Sequence, residues 1–334
     1  MSTTKPVVVA GAGSIGCFVG GLLAAAGRPV GFLARPRVID EIKANGLRLT
    51  SFEGIDRRLP ASAITLSDDA AMLRDAGTVL VCVKSADTDT MAATIAAYVP
   101  RDATIVSLQN GVSNVATLNK HVGGHTVLAG VVPFNVTPMG KGRFHRATSG
   151  DIVIQNDTAA TAVQLSVPDL KLQASDNITG LQWGKLLLNL NNALNALSNL
   201  PLRDQLAQRP WRALFAEQMS EALTAMAADG IRPVPTTPLP ASWTPHILRL
   251  PDWAFRAVAS SMVKIDPKAR SSMWDDLQRG RPTEVDYLQG AIIDIARRRG
   301  LAVPLSARVV ALVKAAEGRQ QGSPGLTPDQ IRKG

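Results

Sequence analysis

The chain has 334 residues, of which 46% are hydrophobic and 19% are charged, a composition that excludes an intrinsically disordered protein and leaves room for two hydrophobic cores. The formal net charge is +9, but the basic residues are dispersed and only 4% of residues are aromatic, so no nucleic-acid partner is predicted. The two cysteines, Cys17 and Cys82, lie in unrelated segments without metal-ligand spacing. They predict core positions in a reducing compartment and no metal site.

The first half of the chain alternates short strands with Ala-rich helices at Ser14–Ala26 and Asp87–Tyr98. Strands rich in Val, Ile and Leu are predicted at Val7–Ala10, Pro29–Leu33, Val79–Val83, Thr104–Leu108 and Thr126–Val132. Continuously apolar strands separated by helices predict a mostly parallel sheet that is covered on both faces, the Rossmann-type α/β fold. Shorter pieces within Phe134–Gln155 predict an antiparallel extension of this sheet.

The uncharged run from Val7 to Gly27 has 21 residues and is long enough to cross a bilayer. Six of these residues are glycines, and the run ends at Arg28 and Pro29. A strand followed by a buried helix explains the run better than a membrane span. The first residues also lack the pattern of a secretory signal, so we expect a cytoplasmic protein with no membrane partner.

The second half has the apolar spacing of helices, which makes it an all-helical second domain. Helices are predicted at Leu181–Leu200, Trp211–Ala228, Asp252–Ile265, Val285–Arg299 and Pro304–Glu317. We therefore expect a nucleotide-binding domain over residues 1–176 and a helical domain over residues 177–334. Six prolines between Arg232 and Pro251 predict a long, stiff loop.

A glycine-rich loop follows the first predicted strand and opens a helix. Gly11 permits a tight turn, Gly13 allows a pyrophosphate to approach the backbone, and Gly16 allows the helix to pack closely on the strand. The phosphates would then meet the amide groups at the helix N-terminus. The predicted cofactor-binding residues of this loop are Gly11, Ala12, Gly13, Ser14, Ile15 and Gly16.

Three further strand ends point to the same nucleotide site. Arg35 follows the second strand, where a carboxylate would select NAD, and an arginine there can pair with a 2′-phosphate, so we predict NADPH. Lys84 and Asn110 follow two other strands, and ligands of open α/β sheets bind at these carboxyl ends. Two alternatives remain. Lys84 is then a charge exposed to solvent at a strand end, and Asn110 is an ordinary turn residue before Gly111.

The segment Trp183–Leu197 carries Lys185 and four asparagines on an otherwise apolar helix. At about 100° per residue, Asn189 lies roughly 40° from Lys185 and Asn192 about 20° to the other side, so the three form a polar stripe. Exposed faces normally use better helix formers than asparagine, and buried polar groups need partners. The stripe predicts either contact with a polar ligand or hydrogen bonds that join helices.

Taken together, these motifs resemble those of the ketopantoate reductases (2-dehydropantoate 2-reductases). The resemblance extends over nearly the whole chain and rests on the glycine loop, Arg35, "VKS" at Lys84, "QNG" at Asn110, "WGKLLLN" at Lys185 and "SSMWDDLQRGRPTEVDYLQG" at residues 271–290. It implies an enzyme that reduces 2-dehydropantoate (ketopantoate) to pantoate with NADPH, with its site between the two domains, and it leaves a homodimer open. An alternative within the family is another branched 2-oxo acid, and one outside it is a non-catalytic NADPH-binding regulator, which would be expected to lack Lys185 or Glu284.

The resemblance also implies roles for single residues. Lys185 is the general acid, Glu284 is the acidic residue that faces the site, and Ser272 helps to hold the substrate. Asn110, Asn189 and Asn192 would contribute to substrate binding as well. The resemblance has one departure, at Ala193, where the family has a second asparagine, and this departure bears on the fit to the substrate.

Overall fold

The computed structural model describes residues 5–235, 240–259 and 269–333. The chain divides into two compact units, Met1–Ile178 and Thr179–Gly334. The first is built around β-sheets and the second is helical. Among the described residues, none of the helices combines the length and the apolar character needed to cross a membrane.

The described part of the first unit contains twelve strands and five α-helices. The strands are β1 Val7–Ala10, β2 Val30–Leu33, β3 Leu47–Ser51, β4 Asp56–Leu59, β5 Thr65–Ser67, β6 Thr78–Val81, β7 Thr104–Ser107, β8 Thr126–Val131, β9 Val136–Gly140, β10 Arg143–Arg146, β11 Ile152–Gln155 and β12 Leu172–Ser175. The helices are α1 Ser14–Ala25, α2 Pro36–Asn45, α3 Thr88–Tyr98, α4 Asn114–His121 and α5 Thr161–Leu165. Short 3₁₀ turns lie at Ala61–Ala63, Ala70–Asp75 and Ser85–Asp87.

The main sheet has the order β12-β11-β8-β7-β6-β1-β2-β5 and confirms the predicted mostly parallel sheet. Every neighbouring pair from β5 to β8 is parallel, and β11 pairs with β8 in the antiparallel direction. Val7 and Val9 belong to the core on one face, whereas Val8 and Ala10 belong to the core on the other. Because side chains alternate along a strand, β1 must be apolar throughout to be buried on both sides.

The antiparallel extension predicted within Phe134–Gln155 is only partly correct. β11 does join the main sheet, but β9 and β10 form a second sheet with the order β4-β3-β10-β9. The β9–β10 hairpin is local, whereas β10 pairs in parallel with β3, far away in sequence. A pattern of short strands indicates that they exist but carries no information on such a distant partner.

The second unit contains ten α-helices among its described residues. They are α6 Ile178–Asn189, α7 Asn191–Ser198, α8 Leu202–Ala207, α9 Arg209–Ala228, α10 Thr244–Leu248, α11 Asp252–Ala259, α12 Ser272–Gln278, α13 Val285–Arg299, α14 Pro304–Arg319 and α15 Pro328–Arg332. The predicted single helix Leu181–Leu200 is therefore two helices, which meet at Leu190. The carbonyl of Leu190 accepts a 2.9 Å hydrogen bond from the fully buried Gln289 side chain of α13.

The predicted long loop between Arg232 and Pro251 is wrong for its second half. A 3₁₀ turn at Ala241–Trp243 runs into α10, and Pro245 lies in the first turn of that helix. Proline is tolerated there because the first helical amide groups have no partner within the helix. Pro238, and the last part of the helix predicted at Asp252–Ile265, lie outside the described residues.

A fully buried arginine connects three segments of the second unit. The guanidinium of Arg212 on α9 donates to the carbonyls of Leu206, Ala207, Leu248 and Leu250, and it pairs with Asp252 at 2.8 Å. Its carbon lies 4.1 Å from the centre of the Phe255 ring. Burying this charge is tolerated because hydrogen bonds and an ion pair replace its water.

Candidate active site

The glycine loop of the first unit has the geometry expected of a nucleotide-binding turn. Gly11 has φ of +105°, and a Cβ there would lie 2.7 Å from the Val83 nitrogen. A Cβ on Gly16 would lie 2.3 Å from the Gly11 carbonyl oxygen and 2.8 Å from Val9 Cγ1. Only glycine at these two positions therefore allows the loop and the start of α1 to lie this close to β1 and to the chain that follows β6.

Gly13 differs from the other two glycines of the loop. Its φ of −82° and ψ of −168° are open to any residue, and a Cβ there would meet no described atom of the chain within 4 Å. The exposed Gly13 precedes α1 as its N-cap, and no side chain caps the amide groups of that helix end. This open cradle at a helix N-terminus fits the pyrophosphate of a dinucleotide, which needs both close approach and free amide groups.

Arg35 lies two residues after the end of β2 and is the N-cap residue of α2. Its side chain is 85% exposed, and one guanidinium nitrogen lies 3.3 Å from a carboxylate oxygen of Asp87. Lys84 precedes the 3₁₀ turn Ser85–Asp87 after β6, and Asn110 follows β7. Lys84 and Asn110 are both half-buried.

A buried polar network joins the loops that carry Lys84 and Asn110. Gln109 donates to the Val83 carbonyl at 3.0 Å and to the Thr88 hydroxyl at 2.7 Å, and Thr88 donates to the Asn114 side chain at 2.9 Å. Asn114 in turn donates to the Asn110 carbonyl at 2.6 Å. Sequence reasoning missed this network, because polar residues near strand ends carry no sign of which ones are buried. Its effect is to fix both loops against each other.

Lys185, Asn189 and Asn192 of the second unit are all half-buried, as a stripe that borders the core would be. Desolvation lowers the pKa of Lys185 from 10.5 to about 8, while attraction by the Glu284 carboxylate acts in the opposite direction. The amine of Lys185 is therefore protonated at neutral pH and loses its proton as the pH rises through about 8. Gly184 lets the backbone of Val234 approach α6 next to Lys185, since a Cβ there would lie 1.8 Å from the Val234 carbonyl oxygen.

The other two asparagines of the segment have a structural role. Asn195 is fully buried and donates to the Leu200 carbonyl at 2.9 Å and to Gln205 at 3.1 Å. It also accepts a 2.9 Å hydrogen bond from the amide of Ser271. Asn191 exchanges hydrogen bonds with Gln205 as well. Hydrogen bonds that join helices are therefore made by Asn191 and Asn195, which were not part of the predicted stripe of Lys185, Asn189 and Asn192.

These contacts fix the start of α12. Ser271 is its N-cap and accepts from the Trp274 amide, while its hydroxyl donates to the Asn192 carbonyl at 2.9 Å. Ser272, the predicted substrate-binding serine, is the first residue of the helix and is exposed. Hence α7 and the beginning of α12 form one hydrogen-bonded piece that presents Ser272 to the surface of the unit.

Glu284 is half-buried and is the N-cap residue of α13. The preceding residue, Thr283, donates both its amide and its hydroxyl to Glu317 of α14, each at 2.7 Å. Burial raises the pKa of Glu317, but the hydrogen bonds from Thr283 and Lys314 outweigh this effect and hold it below its usual value. Glu317 thus anchors the backbone next to Glu284, which sequence reasoning did not anticipate.

The three aspartates near Glu284 in the sequence interact with other side chains. Asp286 is exposed and pairs with Lys314, and the buried Asp276 pairs with Arg281 at 3.2 Å. Asp275 is half-buried, and desolvation raises its pKa despite three nearby arginines. Among the carboxylates of residues 271–290, Glu284 is the one whose negative charge raises the pKa of Lys185.

Comparison with known proteins identifies the family. The profile of "Ketopantoate reductase PanE/ApbA" matches residues 7–158, and that of its C-terminal domain matches residues 177–317. The chain belongs to the ketopantoate reductase family.

Individual members of the ketopantoate reductase family match along nearly their whole length. A 2-dehydropantoate 2-reductase of Halobacterium salinarum is 28% identical, covering 93% of this chain and 98% of the relative. The crystal structure of a family member from Ralstonia eutropha JMP134 is 32% identical with a TM-score of 0.80, covering 95% and 99% of the two chains. A D-mandelate dehydrogenase, solved with NADH and anilino(oxo)acetate, shares the fold at 22% identity and a TM-score of 0.78, covering 94% and 99%.

As a ketopantoate reductase family member, the protein is an oxidoreductase, and its candidate residues fall into two sets. The loop residues 11–16, Arg35, Lys84 and Asn110 lie in the first unit, and Lys185, Asn189, Asn192, Ser272 and Glu284 lie in the second. Ala193, the predicted departure from the family pattern, is fully buried within α7. In the parts of the chain that the structure describes, no cluster of three or more His, Cys, Asp or Glu residues is suited to hold a metal ion.

Proposed function

We propose that the protein reduces 2-dehydropantoate to pantoate with NADPH, a step of pantothenate and coenzyme A biosynthesis. The observation that carries the proposal is the electrostatic pair of Lys185 and Glu284 in a chain of this family: a lysine whose pKa lies near 8, next to a carboxylate that favours its charged form. An acid is most effective in proton transfer when its pKa is near the working pH. Lys185 meets that condition.

The glycine loop would hold the pyrophosphate, and Arg35 with Lys84 would hold the phosphate on the adenosine ribose. NADPH supplies, when bound, the hydride that adds to the ketone carbon of the substrate. Arg35 favours NADPH because a guanidinium can form charge-assisted hydrogen bonds with a 2′-phosphate. In Rossmann-type sites that bind NAD, a carboxylate occupies this strand end instead.

Lys185 completes the reduction by donating its proton to the ketone oxygen, on which negative charge develops. The ammonium stabilises that charge in the transition state and leaves the reaction as a neutral amine. Glu284 keeps Lys185 protonated and accepts a hydrogen bond from the hydroxyl of the substrate. Asn110, Asn189, Asn192 and Ser272 hold cofactor and substrate through amide and hydroxyl groups.

The test is to measure NADPH and NADH oxidation by the purified full-length protein with ketopantoate, 2-oxoisovalerate and other 2-oxo acids. Ketopantoate with NADPH should have the highest kcat/KM, and a Lys185→Ala variant should serve as the inactive control. One alternative, a family reductase of another branched 2-oxo acid, comes from the sequence departure at Ala193, because alanine offers no hydrogen bond where the predicted pattern has asparagine. A higher kcat/KM for an acid without the hydroxymethyl group would favour that alternative and overturn the proposal.

A further inference from the structure

The cation proposed to recognise the 2′-phosphate already has an anionic neighbour. Arg35 follows β2, and Asp87 ends the 3₁₀ turn after β6. Guanidinium Nη2 of Arg35 lies 3.3 Å from Oδ2 of Asp87, with the side chains 85% and 51% exposed. The contact is a single, long hydrogen bond between exposed groups, and such ion pairs are weak and easily opened.

The position of this pair in the sheet makes it relevant to the cofactor. β2 and β6 are the two parallel neighbours of β1, on opposite sides of it. The glycine loop follows β1, so the contact between Arg35 and Asp87 connects the two strand ends that flank the loop. The carboxylate therefore lies at the same edge of the sheet as the open cradle of Gly13.

Two other carboxylates near this edge, Asp69 and Asp89, have partners of their own. Asp69, after the neighbouring strand β5, caps a backbone amide at 2.8 Å, and Asp89 lies two residues beyond Asp87 on α3. The Asp89 side chain is 72% exposed and contacts His121 at 2.9 Å. Asp89 is therefore a natural control for Asp87, because it carries the same charge on the same segment but contacts a different partner.

We infer that Asp87 is a second determinant of cofactor choice, whose carboxylate competes with the 2′-phosphate for Arg35 and moderates the preference for NADPH over NADH. The inference rests on the proposed role of Arg35 in NADPH binding. A guanidinium has five N–H donors in a fixed plane. A donor that binds Asp87 cannot at the same time form part of a bidentate contact with the phosphate. NADH has no phosphate there, so its binding does not require Arg35 to leave Asp87.

The experiment compares two adenosine ligands that differ only in the 2′-phosphate, 2′,5′-ADP and 5′-AMP. Their dissociation constants are measured by calorimetry on the full-length protein and on the Asp87→Asn, Asp89→Asn and Arg35→Ala variants. Asp87→Asn should raise the preference for 2′,5′-ADP by about threefold to fivefold, which corresponds to roughly 0.6–1 kcal/mol, the upper range for an exposed ion pair. Asp89→Asn should leave it within about twofold, because exposed charges without a shared partner are screened.

The variants distinguish failure of the proposed NADPH site from failure of the inference about Asp87. If Arg35→Ala keeps the full preference for 2′,5′-ADP, the proposed NADPH site is wrong. If Arg35→Ala loses that preference while Asp87→Asn behaves like Asp89→Asn, the proposed function stands and the inference about Asp87 is overturned. A lower preference in Asp87→Asn would also overturn it, because Asp87 would then orient Arg35 instead of competing for it.

A double variant tests whether the effect passes through Arg35. Competition for the guanidinium requires that the gain from Asp87→Asn disappear in the Arg35→Ala background. A gain that persists in full there would mean direct repulsion between carboxylate and phosphate, and would overturn competition as the mechanism. Circular dichroism of all variants confirms that each is folded before its affinities are compared.

Discussion

Replacing Gly13 and Gly16 by alanine, one at a time, should separate cofactor binding from folding. A Cβ on Gly16 would lie 2.3 Å from the Gly11 carbonyl oxygen, a backbone atom that cannot move without opening the turn. Overpacking of this kind costs about 1–3 kcal/mol, and the upper end applies to a backbone clash. Alanine recovers about 1 kcal/mol within a helix, so Gly16→Ala should lower the free energy of unfolding by about 2 kcal/mol.

Gly13→Ala should have little effect on stability. The backbone there has an ordinary conformation, and a Cβ would meet no described atom within 4 Å. The reduced freedom of the unfolded chain stabilises by about 0.4–1 kcal/mol, which offsets the poorer capping by alanine at this N-cap position. The same Cβ would fill the space through which a pyrophosphate approaches, so NADPH affinity should fall by about tenfold or more.

The assay is urea unfolding of the protein without cofactor, combined with NADPH titration of the native protein. All five tryptophans lie between residues 183 and 274, in the second unit, so tryptophan fluorescence follows that unit while circular dichroism follows the whole chain. With an m-value of about 1–3 kcal/mol/M, Gly16→Ala should lower the urea midpoint of the first unit by roughly 1 M. Unchanged NADPH affinity in Gly13→Ala would refute the reasoning, because the cradle would then have no ligand.

Four further outcomes follow from the second unit. Lys185→Ala should lower kcat by about 10²–10⁴ without unfolding the protein, as loss of a general acid does, and near-normal turnover at saturating substrate would exclude the role. In the unmodified enzyme, kcat/KM for reduction should be level well below pH 8 and fall as pH rises through the Lys185 pKa of about 8, because kcat/KM reports ionisations of the free enzyme. Glu284→Gln removes the attraction that raises the pKa of Lys185, so the fall in activity at alkaline pH should begin at lower pH. The KM for the oxo acid should also rise more than the Kd for NADPH. An unchanged pH profile would show that Glu284 does not influence the ionisation of Lys185. Glu317→Gln should lower kcat severalfold, because it loosens the contact with Thr283. The variant should also be less stable to urea at pH values above the pKa of about 4.3 that glutamate has in the unfolded chain. This difference in stability should vanish as pH falls through the lowered pKa of Glu317 in the folded protein.

The sequence predicted those parts of the fold that depend on local patterns. β1 and the start of α1 have the predicted bounds, because an uncharged strand buried on both faces and a glycine turn are local signals. The parallel pairing of β10 with β3 was missed, since strands that are distant in sequence have no local mark of their partner. The break at Leu190 was missed too, because apolar spacing continues across it.

For the candidate site, residue types were easier to predict than their supports. Lys185 was selected from its place on a polar stripe, and its lowered pKa agrees with a partly buried amine. The contacts of Thr283 with Glu317, and of Arg35 with Asp87, depend on side chains from separate elements. A single sequence gives no distance between such residues, so these supports are visible only in three dimensions.

The Arg212 guanidinium has a consequence for the local motions of the second unit. A helix as short as α10, with five residues, has little stability of its own in water. Its last carbonyl, at Leu248, and the carbonyl of Leu250 both depend on a donor carried by the 20-residue helix α9. Amide hydrogen exchange within Thr244–Leu248 should therefore follow that of α9 as one cooperative unit. In an Arg212→Met variant, exchange in α10 should become faster while the centre of α9 keeps its protection.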